Sequence, residues 1–220
     1  MSALVWDKSE ERKFEMGVSK GVLYVKKNDG TDTYENGVAW NGLTGVTESP
    51  SGADVTDLWA DNIKYASLRA AETFGATIEA YMCPDEFAEC DGSVEASEGV
   101  YIGQQNRKAF GFSYCTNVGV GENSEAGYKI NLVYNATVSP SEKGYESVND
   151  SPDALTMSWE VSTTAVNVTG HKPTAHITID STKVKDKTKL KTLEDKLYGT
   201  GEAEATLPSP DEVLAIFAAA

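Results

Sequence analysis

The feature that most constrains this chain is its series of short β-branched and aromatic segments, each broken by Gly, Asn, Asp or Pro. Branched and aromatic side chains favour a pleated, half-buried surface, and those four residue types punctuate it, so the segments read as strands. Eight are expected, at 22–27, 39–46, 63–69, 74–82, 109–116, 128–138, 155–168 and 174–180. The stretch SWEVSTTAVNVT alternates with the period of a half-buried strand. The chain is expected to be mainly β, with helices flanking the strands.

Two helices are expected near the end. At 186–198, Leu190, Leu193 and Leu197 fall on one face, Asp186 can cap the start and Gly199 can close the end. At 209–217, Ser209 is an N-cap, Pro210 occupies the first helical position, and Glu212 follows three residues after the cap. Val213, Leu214, Ile216 and Phe217 then cover most of the circumference. This helix cannot stay in water, so it packs on its own domain or on a neighbouring subunit. Between the first two strands, NDGTDTYENG is too long for a tight turn and too glycine-rich for a helix, so 28–38 reads as a long loop or projecting hairpin.

A length of 220 residues suits one domain, and a quarter charged with 40% hydrophobic residues suits a packed globular core. The first 25 residues carry mixed charges where a signal peptide needs an apolar stretch, and no run reaches the roughly 20 apolar residues of a spanning helix. Cys83, Cys90 and Cys115 are an odd, sparse set without metal-motif spacing, expected to be free thiols of a protein made in the cytoplasm. Sequons at Asn135, Asn149 and Asn167 have no visible secretory route, so glycosylation is not expected.

The formal charge of −15 opposes binding of nucleic acid, which depends on cationic neutralisation of phosphate. Charge is also segregated. Residues 72–98 hold eight acids and no Lys or Arg, while 181–196 hold six lysines against three acids. The lysine cluster is either a solvated helix face or an electrostatic docking surface for an acidic neighbour.

No catalytic pattern stands out. His171 and His176 lack the spacing of a helical zinc site and read as surface or strand-end histidines. Gly119, Gly121 and Gly127 read as loop glycines rather than a nucleotide fingerprint. The carboxylates of CPDEFAECDG fit no EF-hand spacing. No enzyme activity, metal or cofactor is implied.

Several ordered strings carry a resemblance: GVLY at 21–24, GVAWNGLTGVTESPSGA at 37–53 and ADNIKYASLRAAETFGATIEAYMCPDEFAECDG at 60–92. It continues through IGQQNRKAFGFSY at 102–114, GYKINLVYNA at 127–136, NDSPDALTMSWEVSTT at 149–164, KPTAHITIDSTKV at 172–184, LEDKLYG at 193–199 and LPSPDEV at 207–213. Together these resemble the major tail proteins of siphophages and related prophages, a group common in phages of Gram-positive bacteria.

The resemblance implies a β-sandwich with a flanking helix and a short C-terminal helix. It implies hexameric rings stacked into a tube around the tape measure protein and DNA, with tail terminator and distal tail proteins as further partners. The expected location is the virion tail, after assembly in the host cytoplasm. On that reading 1–220 is one tube domain, with an N-terminal arm at about 1–18, the loop 28–38 and the segment 200–220 used between subunits. Val213, Leu214, Ile216 and Phe217 are the expected inter-subunit residues. A DNA channel should carry an acidic wall, because each lysine or arginine would gain affinity by counterion release. Glu72 and Glu79 are the expected lumen residues, with Asp85, Glu86, Glu89 and Asp91 as further candidates. The competing reading is a tail-surface receptor or carbohydrate-binding β-sandwich using loop aromatics such as Tyr34 and Trp59.

Overall fold

A continuous apolar run makes a strand buried on both faces, whereas an alternating run leaves one face to solvent. Both kinds occur in the computed structural model, which describes residues 4–145, 147 and 154–218. The Asn149 sequon, the first three residues of the arm and residues 219–220 of the C-terminal segment lie outside the described residues.

In chain order the strands begin with β1 (Lys13–Val25), β2 (Val38–Trp40), β3 (Leu43–Glu48), β4 (Ser51–Gly52), β5 (Val55–Ala60), β6 (Ile63–Arg69) and β7 (Glu72–Thr73). They continue with β8 (Gly75–Ala80), β9 (Val94–Ser97), β10 (Val100–Ile102), β11 (Phe110–Val120), β12 (Asn123–Val138), β13 (Met157–Thr163) and β14 (His176–Asp180). Helices α1 (Lys187–Tyr198) and α2 (Pro210–Phe217) follow.

The main antiparallel sheet runs β2-β1-β11-β12-β13-β8-β3, with β14 branching from β12. Its two ends, β2 and β3, are joined only by Asn41 and Gly42, so the sheet must roll until they meet. Ring contacts show the roll: Trp40 on β2 lies 5.5 Å from both Phe112 on β11 and Trp159 on β13. The layers expected of a sandwich are thus halves of one sheet, and the β-rich fold with flanking helices is as expected.

Two cores share the central strands. Leu23, Val25, Phe110, Phe112, Val133, Ile78, Trp159 and Val161 fill the inside of the roll. A short 3-10 helix at Asp85–Glu89 contributes the fully buried Phe87 to it. On the other face of the same strands, Val22, Tyr24, Cys115, Ile130, Leu132 and Tyr134 meet Leu190, Leu193, Leu197 and Val213 of the helices. A bulge between Phe110 and Phe112 on one side and Val133 and Ala136 on the other lets β12 change phase, and Asn135 at φ 47° absorbs the extra residue.

Local capping explains both helices. The Asp186 side chain accepts from the Thr188 N–H, and Ser209 with Glu212 forms the reciprocal capping box. Tyrosines secure α1 through the sheet: the Tyr24 hydroxyl donates to the Leu197 carbonyl at 2.7 Å, satisfying a helix-end acceptor.

Several expected boundaries move. The segment 39–46 is two strands, because Gly42 at φ 79° turns the chain between them. The first strand begins at Lys13, where Phe14 and Met16 pair along β11, so the arm ends before 18. The strand expected at 155–168 stops at Thr163, and Val166 makes only an isolated bridge to Thr174. Gly119 and Gly127 sit within strands. Gly121 turns β11 into β12 at φ 60°, with Glu10 so close that a Cβ would lie 2.6 Å from its carbonyl oxygen. The loop 28–38 takes the hairpin alternative: the Lys26–Tyr34 bridge and the Lys27 N–H donating to the Thr33 carbonyl at 3.0 Å close its base, residues 27–33 are exposed, and the Tyr34 hydroxyl accepts from the Asn135 N–H at 3.0 Å.

Candidate functional site

The main surface anomaly is a hairpin that the body does not cover. β5 and β6 pair from Val55 opposite Arg69 to Ala60 opposite Ile63, around Asp61 and Asn62 at φ 50° and 62°. Two positive φ values make the tight hairpin turn whose twist suits antiparallel strands. Cross-strand partners share a face, which puts Thr56, Leu58, Ala60, Ile63, Ala66 and Leu68 together. The opposite face carries Asp57, Lys64, Ser67 and Arg69 together with Val55 and Trp59, and Asp57 is held by Lys64 at 2.8 Å and by the Ser67 hydroxyl at 2.7 Å. Those contacts hold the Asp57 carboxyl below its usual pKa. The apolar face stays open: Leu58, Ile63 and Leu68 are 42, 63 and 57% exposed. Trp59 is exposed on this hairpin, whereas Tyr34 is packed against the helix-side core and its pKa is pushed up to about 12 by burial. Exposed apolar residues also mark the arm, at Leu4, Val5 and Trp6.

A second surface is the outer face of β13, β8 and β3, which no helix covers among the described residues. The register aligns Ser158, Glu79 and Gly45 in one row and Glu160, Thr77 and Thr47 in the next. Their inward neighbours Trp159, Ile78 and Val161 are buried, so this face is polar and small, with two carboxylates. Glu79 therefore lies on it. Glu160, which was not singled out in the sequence, joins it, and its signal was the alternation W-E-V at 159–161. Glu72 lies apart, exposed in the two-stranded β4–β7 ribbon, because the chain breaks between β7 and β8.

The other acidic candidates gather elsewhere. Asp85, Glu86 and Glu89 line a groove of about 430 Å³ with Glu35, Glu95 and the half-exposed Tyr101, and its more buried lining is Val25, Val38 and Ala88. Glu89 pairs with Lys108, and Asp91, outside the groove, pairs with Lys143 at 2.7 Å.

The C-terminal candidates split in the same way. Val213 is 2% exposed, and Ile216 and Phe217 pack against the helix-side core of their own chain. Leu214 alone faces outward, at 41% exposure. The Asp211 carboxylate accepts from the Thr169 N–H and hydroxyl, fastening the start of α2 to the body.

Among the described residues, no group of three or more His, Cys, Asp or Glu is placed to hold a metal ion, and no helix is long and apolar enough to cross a membrane. Cys90 is buried and its thiol is pushed up to about 12 by burial, which makes it a poor nucleophile. His176 is a strand-end histidine, the first residue of β14, and it is partly buried. Its ring stacks on Phe74 at 4.4 Å, and its Nε2 lies 4.0 Å from a Glu48 oxygen that accepts from the Tyr114 hydroxyl. Burial lowers its pKa, against the weaker opposing pull of Glu48.

A histidine with a depressed folded pKa leaves the unfolded chain binding the proton more readily. The neutral form therefore contributes stability that is fully present above about pH 6.5 and is lost as pH falls below it. Thermal melts should show a drop between pH 7.5 and 5.5 that is smaller in His176→Gln. Equal pH slopes in the two proteins would refute this assignment.

No protein-family model matches the chain, and no curated protein matches it. Among solved structures, it aligns with a chain of the PVC sheath-tube complex, an extracellular contractile injection system in its extended state. That alignment has 10% identity and a TM-score of 0.31, covering 73% of this chain and 88% of the other. A chain of the sheath/tube terminator of the same system aligns at 11% identity and TM-score 0.30, covering 74% and 96%. Likeness this loose carries no role across, so the functional reading stands on the chain's own surfaces and sequence.

Proposed function

We propose that this chain is a structural subunit of a phage tail tube, of the long non-contractile kind, that acts by self-association and performs no catalysis. The observation that carries it is the β5–β6 hairpin. A two-stranded hairpin is marginal in water by itself, and this one extends an apolar face that the described residues of its own chain leave bare. A repeating assembly supplies the missing cover, because a neighbouring copy presents the same surfaces at a fixed position. The sequence resemblance to siphophage major tail proteins supports the same reading and adds the hexameric ring as the repeating unit.

In such a tube the helices face outward and the uncovered β13-β8-β3 face lines the channel. Glu79 and Glu160 would then repeat around each ring and along the stack, with Glu72 near the rim. The wall would repel DNA phosphates while the tape measure protein occupies the channel and later leaves it to DNA. Tail terminator and distal tail proteins would close the two ends, within the virion tail.

The test is negative-stain microscopy of purified protein over a concentration series, with sedimentation velocity on the same samples. Rings or tubes that increase with concentration are the expected result. A species that stays monomeric throughout, even beside tail-tip complexes, overturns it and favours a surface-binding module.

A further inference from the structure

Of the lysines before and within α1, Lys187 and Lys189 donate to the Ser181 and Ala218 carbonyls, while Lys183, Lys185 and Lys191 are exposed. Lys183 and Lys191 expose 81 and 72% of their side chains, and their ion pairs, with Asp180 and Asp195, are local ones along the segment. Lys185, exposed between them, has no ion pair among the described residues. Exposed pairs of this kind contribute little, so the cations remain available to a stronger partner.

The acidic groove has the converse character. Five carboxylates and a single lysine line it, and Glu35, Asp85, Glu86 and Glu95 make no ion pair among the described residues. Its more buried lining is apolar, at Val25, Val38 and Ala88. The stems of lysine side chains can lie on such a lining while their ammonium groups meet the carboxylates.

The two surfaces sit on different parts of the fold. The helix lies on the outer face of the β1-β11-β12 strands, through Leu190, Leu193 and Leu197. The groove is built around the 3-10 helix at Asp85–Glu89, whose Phe87 enters the inner core instead. A contact between them on two copies is head-to-tail, and repeated head-to-tail contacts close into rings or extend into filaments.

We propose that the exposed lysines Lys183, Lys185 and Lys191 of one copy dock into the acidic groove at Asp85 and Glu86 of the next. This rests on the self-association reading and names the side-to-side contact within it, distinct from the apolar hairpin contact. It also removes Asp85 and Glu86 from the lumen wall. Charge pairing fixes which neighbour is accepted and in what orientation, because juxtaposing like charges is costly.

The experiment uses two charge-reversed proteins. One carries Asp85→Lys and Glu86→Lys, and the other carries Lys185→Glu and Lys191→Glu. Each alone meets a like-charged partner, so its midpoint concentration for assembly should rise about tenfold or more at low salt, the effect of losing roughly 1.4 kcal/mol per contact. Mixed in equal amounts, they can alternate, and assembly should return to within about threefold of the parent. Recovery on mixing also shows that both variants are folded. High salt should narrow the difference, since these charges are screened over about 8 Å at physiological ionic strength and less above it.

The docking is overturned if either variant assembles alone at the parent concentration, or if the mixture is no better than its components. A parent protein that never assembles overturns the self-association reading itself, so the two failures are told apart.

Discussion

Replacing Leu58, Ile63 and Leu68 together with aspartate should abolish the proposed assembly into rings and tubes while leaving a folded monomer. The three side chains share one face of the β5–β6 hairpin and are exposed on the isolated chain. Losing them removes nothing from either core, since both cores are built from other residues. Full burial of such a side chain against a neighbour contributes about 1.5–3 kcal/mol. Three lost from every contact, with a carboxylate placed in each site, exceed the roughly 4 kcal/mol that separates a thousandfold in association.

Sedimentation velocity reads the assembly, and far-ultraviolet circular dichroism with a thermal melt reads the fold. Arg69→Ala, on the opposite face, serves as the control and should assemble nearly as the parent does. Tubes of unchanged yield from the triple variant would show that the hairpin is a free arm, and the self-association reading would lose its main support.

The second large effect is on the fold. Trp159→Ala should lower stability by about 3–5 kcal/mol, the usual range for removing a buried indole. Trp159 is fully buried, 5.5 Å from Trp40 and 5.3 Å from Phe87 in edge-on contacts. It joins strand β13 to the strand and the 3-10 helix across the roll, so the cavity would open where three elements meet. For a domain of this size the melting temperature should fall by about 10 °C.

Trp159→Phe should cost much less. The indole nitrogen is buried without a hydrogen-bond partner in the described structure, so phenylalanine keeps most of the packing and removes an unsatisfied donor. An alanine variant melting within about 2 °C of the parent would mean that the roll tolerates the cavity and that the inner core is organised by other residues.

The helices were legible because their signals are local. Asp186 caps α1, Ser209 and Glu212 form the box that starts α2, and the leucines at 190, 193 and 197 lie on one stripe. Most strands were legible for the same reason, since a β-branched run or a W-E-V alternation needs no knowledge of its partner. Pairing was not. Strand β1 hydrogen-bonds to β11, which lies some 90 positions away in the chain, and the roll that brings Trp40 against Trp159 follows from that pairing.

The same limit governed the candidate site. Period-2 alternation sorts residues onto two faces, but which face is covered depends on elements elsewhere in the chain. Glu79 and Glu160 share a bare sheet face because the helices dock on the opposite side of other strands. Asp85 and Glu86 line a groove instead, because Phe87 between them and Glu89 turns inward to the core. Val213 was expected at a subunit contact and is buried at home, whereas strand β5 went unread although its hairpin exposes Leu58, Ile63 and Leu68 on one face. By itself the sequence determined both helices and the segments that form the main sheet, since hydrogen bonding and caps act over a few residues, but not the short exposed strands such as β5. Tertiary structure alone decided which apolar faces remain uncovered, because burial is a property of the whole chain's packing.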